Sequence, residues 1–379
     1  MNAPLIFKYL SAMEQHKASD IYLTVGFPPT LRCEGDFIKI DDKLMTHEEI
    51  EEILTSMLTN RQRREFDSLK ELNTALDMGK HGRFRVNVLR QRQHPALVIR
   101  RIVSEIPTFE ELRLPPILEK MAMEKRGLVL LTGMTGSGKS TTLAAMVAHR
   151  NKNSRGHIIT IEDPIEYYHD HHGCVVTQRE VGVDTESYAM AMKNSLRQRP
   201  DVILVGEIRD REVMEQALAI TETGHLCLAT IHTNNAYQAI ERVVNLFPED
   251  SHNQIRLNLS MNLKAIVSQR LLPSKEGGLV PAIEIMINQG LVRELILRGD
   301  IGKIHDVMEQ NNSIGMSTFD QSLMRLFAQD FISKDTAITN SDKPSDMKIK
   351  VQQAELVKRS RGHKSGLETV DTSRLHLSE

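Results

Sequence analysis

The stretch Gly133 to Thr141, GMTGSGKST, fits the pattern Gly-x-x-x-x-Gly-Lys-Ser/Thr, with Gly133, Gly138, Lys139 and Ser140 at the fixed positions. Glycines at this spacing let backbone N–H groups close around phosphate oxygens. Thr135, Gly136 and Ser137 form the middle of that cradle and Thr141 its far end. In such a loop Lys139 reaches the β- and γ-phosphates and the Ser140 hydroxyl ligates Mg²⁺. The chemistry is therefore binding and hydrolysis of a nucleoside triphosphate. The apolar run GLVLLT precedes the loop and the helix formers of Thr141 to His149 follow it. Strand, glycine loop, helix is the context this chemistry needs, because the helix adds its positive end to the cradle.

A phosphate loop by itself says NTPase and no more. Three further segments narrow the chemistry. In IITIEDPIEY a β-rich run ends in Glu162, Asp163 and Glu166. A carboxylate at the carboxyl end of a strand can orient or deprotonate the attacking water; an acidic helix-capping turn is the alternative. In DVILVGEIRD four apolar residues run into Gly206 and Glu207, an acidic strand end of Walker B type. Gly206 stands where an aspartate is common, so Glu207 is left with the metal-side work, through a Mg²⁺-bound water. The alternative is a surface acid behind a core strand. TGHLCLATIHT carries His225 and His232, an odd number of residues apart, which on a regular strand point to opposite faces. His232 is expected just past the strand end, near the phosphates; for both histidines a structural role stays open. His169-Asp170-His171-His172 with Cys174 has the composition of a metal site, but consecutive histidines on a turn are expected to be solvated.

The elements that must hold these residues follow from the apolar pattern. Across 379 residues, two domains are expected. Residues 1–105 form a smaller α+β domain, with helices over Leu5–Met13, His47–Leu58 and Arg61–Leu69 among short strands. Residues 106–117, rich in proline, are expected to be a linker. In residues 118–340 strands at Leu128–Leu131, His157–Ile161, Val202–Val205 and His225–Thr230 alternate with helices, the signature of a parallel sheet covered on both faces. Helices then follow at 235–245, 251–267, 289–299, 301–311 and 318–329. Residues 341–379 are polar; the middle of that tail, 348–364, reads as a helix, and its ends are expected to be disordered.

Composition excludes several classes. The formal net charge of −2, without a basic-aromatic groove, argues against a nucleic-acid partner. Three scattered cysteines fit reduced thiols in the cytoplasm. The N-terminus has no signal-peptide pattern. No apolar run approaches the ~20 residues that cross a bilayer, so membrane contact is expected to be peripheral or through a partner.

The four boxes GMTGSGKST, ITIEDPIEY, DVILVGEIRD and TGHLCLATIHT, in this order, resemble those of the type IV pilus retraction ATPases, the PilT/PilU family of the secretion ATPase superfamily. The resemblance extends over roughly residues 4–335. The cysteine in GHLCLATIH and the long tail are similar to the accessory, PilU-type branch. Residues Gly290 to Arg298 match a family motif only in part, since Glu294 stands where asparagine is usual. The resemblance implies an α/β fold: a RecA-like P-loop NTPase core, a PAS-like N-terminal domain and appended C-terminal helices. It implies ATP and Mg²⁺ as ligands and a homo-hexameric ring. It makes Glu166 the catalytic carboxylate, Glu207 the Walker B glutamate, and His225 and His232 the His-box pair. It places Arg85 and Arg100 where they reach phosphates; without it, arginines on strands read as solvated. The implied function is an ATPase motor that drives or assists pilus retraction, and hence twitching motility and DNA uptake, accessory to a PilT-type retraction ATPase. Its other implied partner is an inner-membrane pilus platform protein, with the chain cytoplasmic and peripheral at the inner membrane. The competing function is a nucleotide-gated ring that modulates the main motor without generating force. Secretion and assembly ATPases of the superfamily usually carry a Cys-x-x-Cys pair, which is missing here.

Overall fold

The computed structural model of the chain describes residues 4–33, 36–78, 82–102 and 105–365. They form two compact units. One is the chain up to Ile106 together with Glu166–Tyr168; the other is Pro107–Ile165 with the chain from His169 onward.

The smaller unit contains α1 (Leu5–Gln15), β1 (Asp20–Thr24), β2 (Thr30–Cys33), β3 (Asp36–Lys39), α2 (His47–Met57), α3 (Asn60–Leu69), β4 (Glu71–Asp77), β5 (Arg83–Gln91) and β6 (His94–Ile102). Its helices start where the sequence supplies caps. The Thr46 and Thr59 hydroxyls each accept from the third helical N–H, while Glu49 and Gln62 reach back to the cap N–H. The strands are antiparallel, in the order β3-β2-β1-β6-β5-β4. Strand periodicity sorts the side chains. Phe84, Val86, Val88, Leu97 and Ile99 point into a core with Ile6, Met13, Ile53 and Phe66 of the three helices. Arg83, Arg85 and Asn87 alternate with them on β5 and are half-buried.

The larger unit runs α4 (Ile117–Ala122), β7 (Gly127–Thr132), α5 (Lys139–Asn153), β8 (Gly156–Glu162), β9 (Cys174–Glu180), α6 (Tyr188–Ser195), β10 (Val202–Val205), α7 (Arg211–Glu222), β11 (Leu226–Ile231), α8 (Ala236–Asn245) and α9 (His252–Asn262). It continues with β12 (Leu263–Pro273), β13 (Leu279–Ile287), α10 (Leu291–Arg298), α11 (Ile304–Gln310), α12 (Phe319–Ala328), α13 (Lys334–Thr339) and α14 (Pro344–Ser365). The strand order is β13-β12-β7-β11-β10-β8-β9, parallel except for β13 at one edge. β7 is buried along its whole length. Leu128 and Leu130 pack into one apolar layer while Val129 and Leu131 pack into the other. A run such as GLVLLT reads as continuously apolar because both its faces are covered.

Three expectations are corrected. The helix expected over 251–267 ends at Asn262, and Leu263 begins β12. Leu263–Leu272 suits either state locally, and the ladder it joins with β7, distant in sequence, decides. Its antiparallel partner β13 and the edge strand β9 were not foreseen at all. The stretch read as a linker, 106–117, belongs from Pro107 onward to the larger unit, where Phe109 and Leu114 are buried against α4 and α5. The tail beyond 340 is helical from Pro344 to Ser365, so the helix expected in its middle starts earlier, within the end expected to be disordered; the far end, 366–379, lies outside the described residues. Met347 and Val351 explain the order. Both are fully buried with Phe319, Leu323 and Ile332, and Arg270 donates to Asn340 O and Asp342 Oδ1, each at 2.9 Å.

Replacing buried Met347 by Ala is therefore expected to cost about 2–5 kcal/mol of the larger unit's stability. Lys348→Ala, one residue on and exposed, should stay within about 0.5 kcal/mol. Denaturant midpoints of the two variants decide; equal midpoints would remove α14 from the core.

Candidate functional site

β7 delivers the chain into the glycine loop at Gly133, and the loop closes on Lys139, the first residue of α5. Gly136 and Gly138 have φ of 78° and 86°, the left-handed region that glycine enters without a Cβ penalty. Gly138 has a second reason to be glycine: a Cβ there would lie 2.7 Å from Nε2 of Gln269 on β12. Gln269 also accepts a hydrogen bond from the Thr142 hydroxyl of α5 at 2.8 Å. The back of the loop is thus seated on β12. The Lys139 ammonium is buried and donates to the carbonyl oxygens of Gly133 at 2.8 Å and Met134 at 2.9 Å. The Ser137 hydroxyl is buried with no hydrogen-bond partner among the described residues.

An orphaned hydroxyl and a buried cation at the head of a helix fit a phosphate group, which supplies acceptor oxygens to both. Ser140 and Thr141, half-buried on the first turn of α5, carry the hydroxyls next to it. Beside the loop lies a cavity of about 570 Å³, lined by Met134 and Gly136 on one side and by Arg270, Leu271, Asn340 and Ser341 on the other. Its size falls within the range of small-molecule clefts.

The acidic strand end lies two strands away. Parallel pairing of β7 with β11, and of β11 with β10, brings all three carboxyl ends to the same edge. There the Thr132 hydroxyl donates to Thr233 O at 2.6 Å, and the Thr230 hydroxyl to Gly206 O at 2.6 Å. Glu207, one residue past Gly206, has both carboxylate oxygens engaged. Oε1 faces His232 Nε2 at 3.1 Å, and Oε2 accepts from Arg209 Nε at 2.7 Å. Arg209 also approaches Asp163 Oδ2 at 3.5 Å. The glycine at 206 has a steric reason. A Cβ there would lie 3.0 Å from the Tyr188 hydroxyl and 3.3 Å from Ile161 O, so a side chain at this position requires its neighbours to shift by a few tenths of an ångström. Burial, with Asp163 nearby, pushes the Tyr188 hydroxyl pKa up, so the hydroxyl stays protonated.

The structure separates the two histidines. His232 follows the carboxyl end of β11. His225 precedes its amino end, beside Gly127, with Nδ1 within 3.0 Å of the Thr223 hydroxyl at the end of α7. Within this chain His225 is a helix-end partner, far from the phosphate loop. In the smaller unit Arg85 and Arg100 stand directly opposite each other on β5 and β6. Arg100 Nε donates to Asp20 Oδ1 at 2.7 Å, whereas Arg85 has no partner among the described residues. Glu166 is exposed, in the short segment that groups with the smaller unit rather than with the strand it follows. In the His169–His172 turn, His171 Nδ1 accepts from Val176 N at 3.1 Å, and burial pushes the His169 imidazole down to about 4.

Several residues of the site lay outside the sequence reading. Gln269 and Glu284 sit on the unforeseen hairpin, and nothing short of its register reveals Gln269. Arg209 was visible in the Walker B segment but carried no signal of its partners. Glu284 is buried and accepts from Ser268 Oγ at 3.0 Å and from the Ala236 N–H, the first of α8, at 2.8 Å. A carboxyl inside the apolar run VPAIEIMI was its sequence signal.

A family model described as "Type II/IV secretion system protein" matches residues 45–297. The chain is 47% identical to the type IV pilus ATPase PilU of Pseudomonas aeruginosa, over 91% of each chain. It is 39% identical to the type IV pilus retraction ATPase PilT of the same organism, over 88% of this chain and 96% of the relative. A crystal structure of the pilus retraction motor PilT with bound ADP superposes with a TM-score of 0.85 at 39% identity, covering 90% of this chain and 98% of that one.

Burial pushes the Glu284 carboxyl up to about 7, against the hydrogen bonds from Ala236 and Ser268 that pull it down. An acid whose folded pKa exceeds its unfolded one binds more protons when folded, so its contribution is full at low pH and lost as pH rises. Relative to Glu284→Gln, the native chain should lose on the order of 3 kcal/mol as pH rises from about 4.5 through 7. Denaturant unfolding of both across that window tests this; parallel stability curves would place the carboxyl in water.

Proposed function

Because the chain belongs to the type II/IV secretion system protein family, we propose that it is an ATP-hydrolysing motor of type IV pilus retraction, and so of twitching motility. The observation that carries this is the shared carboxyl edge of β7, β10 and β11, which gathers the lysine-bearing loop and the Glu207–His232–Arg209 cluster in a chain so similar to PilU and PilT.

The loop's N–H groups, the α5 terminus and Lys139 bind the β- and γ-phosphates. Lys139 exchanges the carbonyls of Gly133 and Met134 for phosphate oxygens, so the buried ammonium is never without acceptors. The cavity beside the loop takes the nucleoside half. Mg²⁺, when bound, would be held by the Ser140 hydroxyl and, through water, by Glu207, and neutralises charge on the phosphate oxygens. Glu166 accepts the proton of the attacking water. Arg209 and His232 hold the Glu207 carboxylate in one orientation, and His232 stands where it can respond to the γ-phosphate. Arg85 and Arg100 offset the negative charge that grows on the transferred phosphoryl group, on nucleotide bound by a neighbouring copy. That last role requires a ring, for which the family resemblance supports a homo-hexamer.

The greater identity to PilU than to PilT favours an accessory place beside a PilT-type retraction ATPase, on a platform protein at the inner membrane. No helix among the described residues is long and apolar enough to cross a membrane, which suits a peripheral position. A purely regulatory ring is the weaker reading, because every residue hydrolysis requires is present.

Lys139→Ala should abolish phosphate release. Glu166→Gln should bind ATP with near-native affinity yet turn over roughly 10²–10⁴-fold more slowly, since the amide keeps the shape and loses the basicity. Nucleotide titration with single-turnover kinetics separates the two. Native phosphate release from Lys139→Ala would refute the site, and loss of ATP binding in Glu166→Gln would refute the base.

A further inference from the structure

On the smaller unit's sheet, the face opposite its helices carries a line of charge across neighbouring strands. Register places Arg85 opposite Arg100, Arg100 opposite Asp20, and Asp20 opposite Arg32. Like charges directly opposite destabilise a strand pair. The fold tolerates Arg85 beside Arg100 and sets a single carboxylate next to them.

That carboxylate is unusually held. Asp20 is only 3% exposed. Its Oδ2 accepts from the Ser19 hydroxyl at 2.8 Å, and its Oδ1 accepts from Arg100 Nε at 2.7 Å. The Arg100 side chain, by contrast, is 61% exposed. The contact is single and side-on. Only Nε is used, and both Nη groups are without hydrogen-bond partners among the described residues. As a device for stability this arrangement is poor. Burying a carboxylate costs several kcal/mol in general, and an exposed guanidinium repays little of it. A bidentate pair through Nε and one Nη would bind Asp20 better, but it would consume the donors that recognise oxyanions.

We propose that Asp20 is a positioning residue for Arg100, gripping the guanidinium at Nε so that its two Nη groups, with Arg85 alongside, present a preset fork to a phosphoryl group. The Ser19 hydroxyl fixes the carboxylate, the carboxylate fixes the plane of the guanidinium, and that plane sets where the oxyanion is met. An arginine held this way loses little further side-chain freedom when the anion arrives. The inference rests on the proposed action of Arg100 on nucleotide phosphates.

The test compares Asp20→Ala, Asp20→Asn, Asp20→Glu and Arg100→Ala in the full chain, each assayed for kcat, for KM of ATP and for unfolding midpoint. Asp20→Ala should lower kcat roughly 10- to 100-fold, the scale of a catalytic group displaced by about an ångström. KM should stay within about twofold, because ground-state binding remains with the loop. Asp20→Asn, which keeps an acceptor for Nε without the charge, and Asp20→Glu should each recover part of kcat, independently of their midpoints. If Asp20→Ala does not fold, Asp20→Asn is read by the same criteria. Native kcat in the Asp20 variants beside an inactive Arg100→Ala overturns the positioning role alone. Loss confined to KM, or loss that simply tracks the unfolding midpoint, also overturns it. Native kcat in Arg100→Ala overturns the assignment beneath it.

Discussion

The phosphate loop depends on one close approach, that of Gln269 to its back. A loop with left-handed glycines is entropically expensive to order, since glycine loses more freedom on folding than any other residue. Gln269 supplies the ordering in two ways. Its amide nitrogen stands where any Cβ on Gly138 would collide, and its amide oxygen takes the Thr142 hydroxyl, joining the strand to the helix behind the loop. The loop is therefore held against the sheet before any ligand arrives. Binding energy from the phosphates need not be spent on ordering it, and can appear as affinity or as strain directed at the reacting bond.

The acidic edge shows the opposite economy. Gly206 packs tightly against Tyr188, and the carboxylate comes one residue later, beyond the strand. A side chain outside the ladder is not fixed by it, and Arg209 and His232 do the fixing. Both partners are themselves partly exposed. The pairing is therefore open to rearrangement in a way that a strand-borne aspartate is not, a fitting property for a group that must meet different phosphorylation states of the bound nucleotide in turn.

Much of this was legible in the residues. The glycine loop, the acidic strand ends and the alternation of β7, β8, β10 and β11 with helices all carry local signals: glycine spacing, apolar runs of strand length, capping residues. Two features resisted. Leu263–Val267 was read as the end of a helix because nothing in LKAIV excludes one; only the ladder with β7 makes it a strand, and with that ladder Gln269 and Glu284 became visible. The region past Ser341 was read as tail because its composition is polar. Two buried apolar side chains, Met347 and Val351, suffice to dock its helix, and so sparse a pattern is lost in an average over composition. His232 was expected just past the strand end, whereas His225 was read as the strand's first residue; the two lie off opposite ends of β11.

Adjacent side chains on β12 serve different neighbours. Gln269 faces the loop and α5, while Arg270 stacks 3.8 Å over Phe319 and clamps the approach to α14. Strand neighbours alternate between faces, so a slip of one residue exchanges every such assignment. Length is consequently frozen from Ala265 to Pro273 in a way it is not at the register shift between Leu263 and Ala265 or in the turn Ser274–Gly278 that follows. Across descendants of this chain, insertions and deletions should collect in that turn and be purged from the strand, even at positions where any single substitution passes.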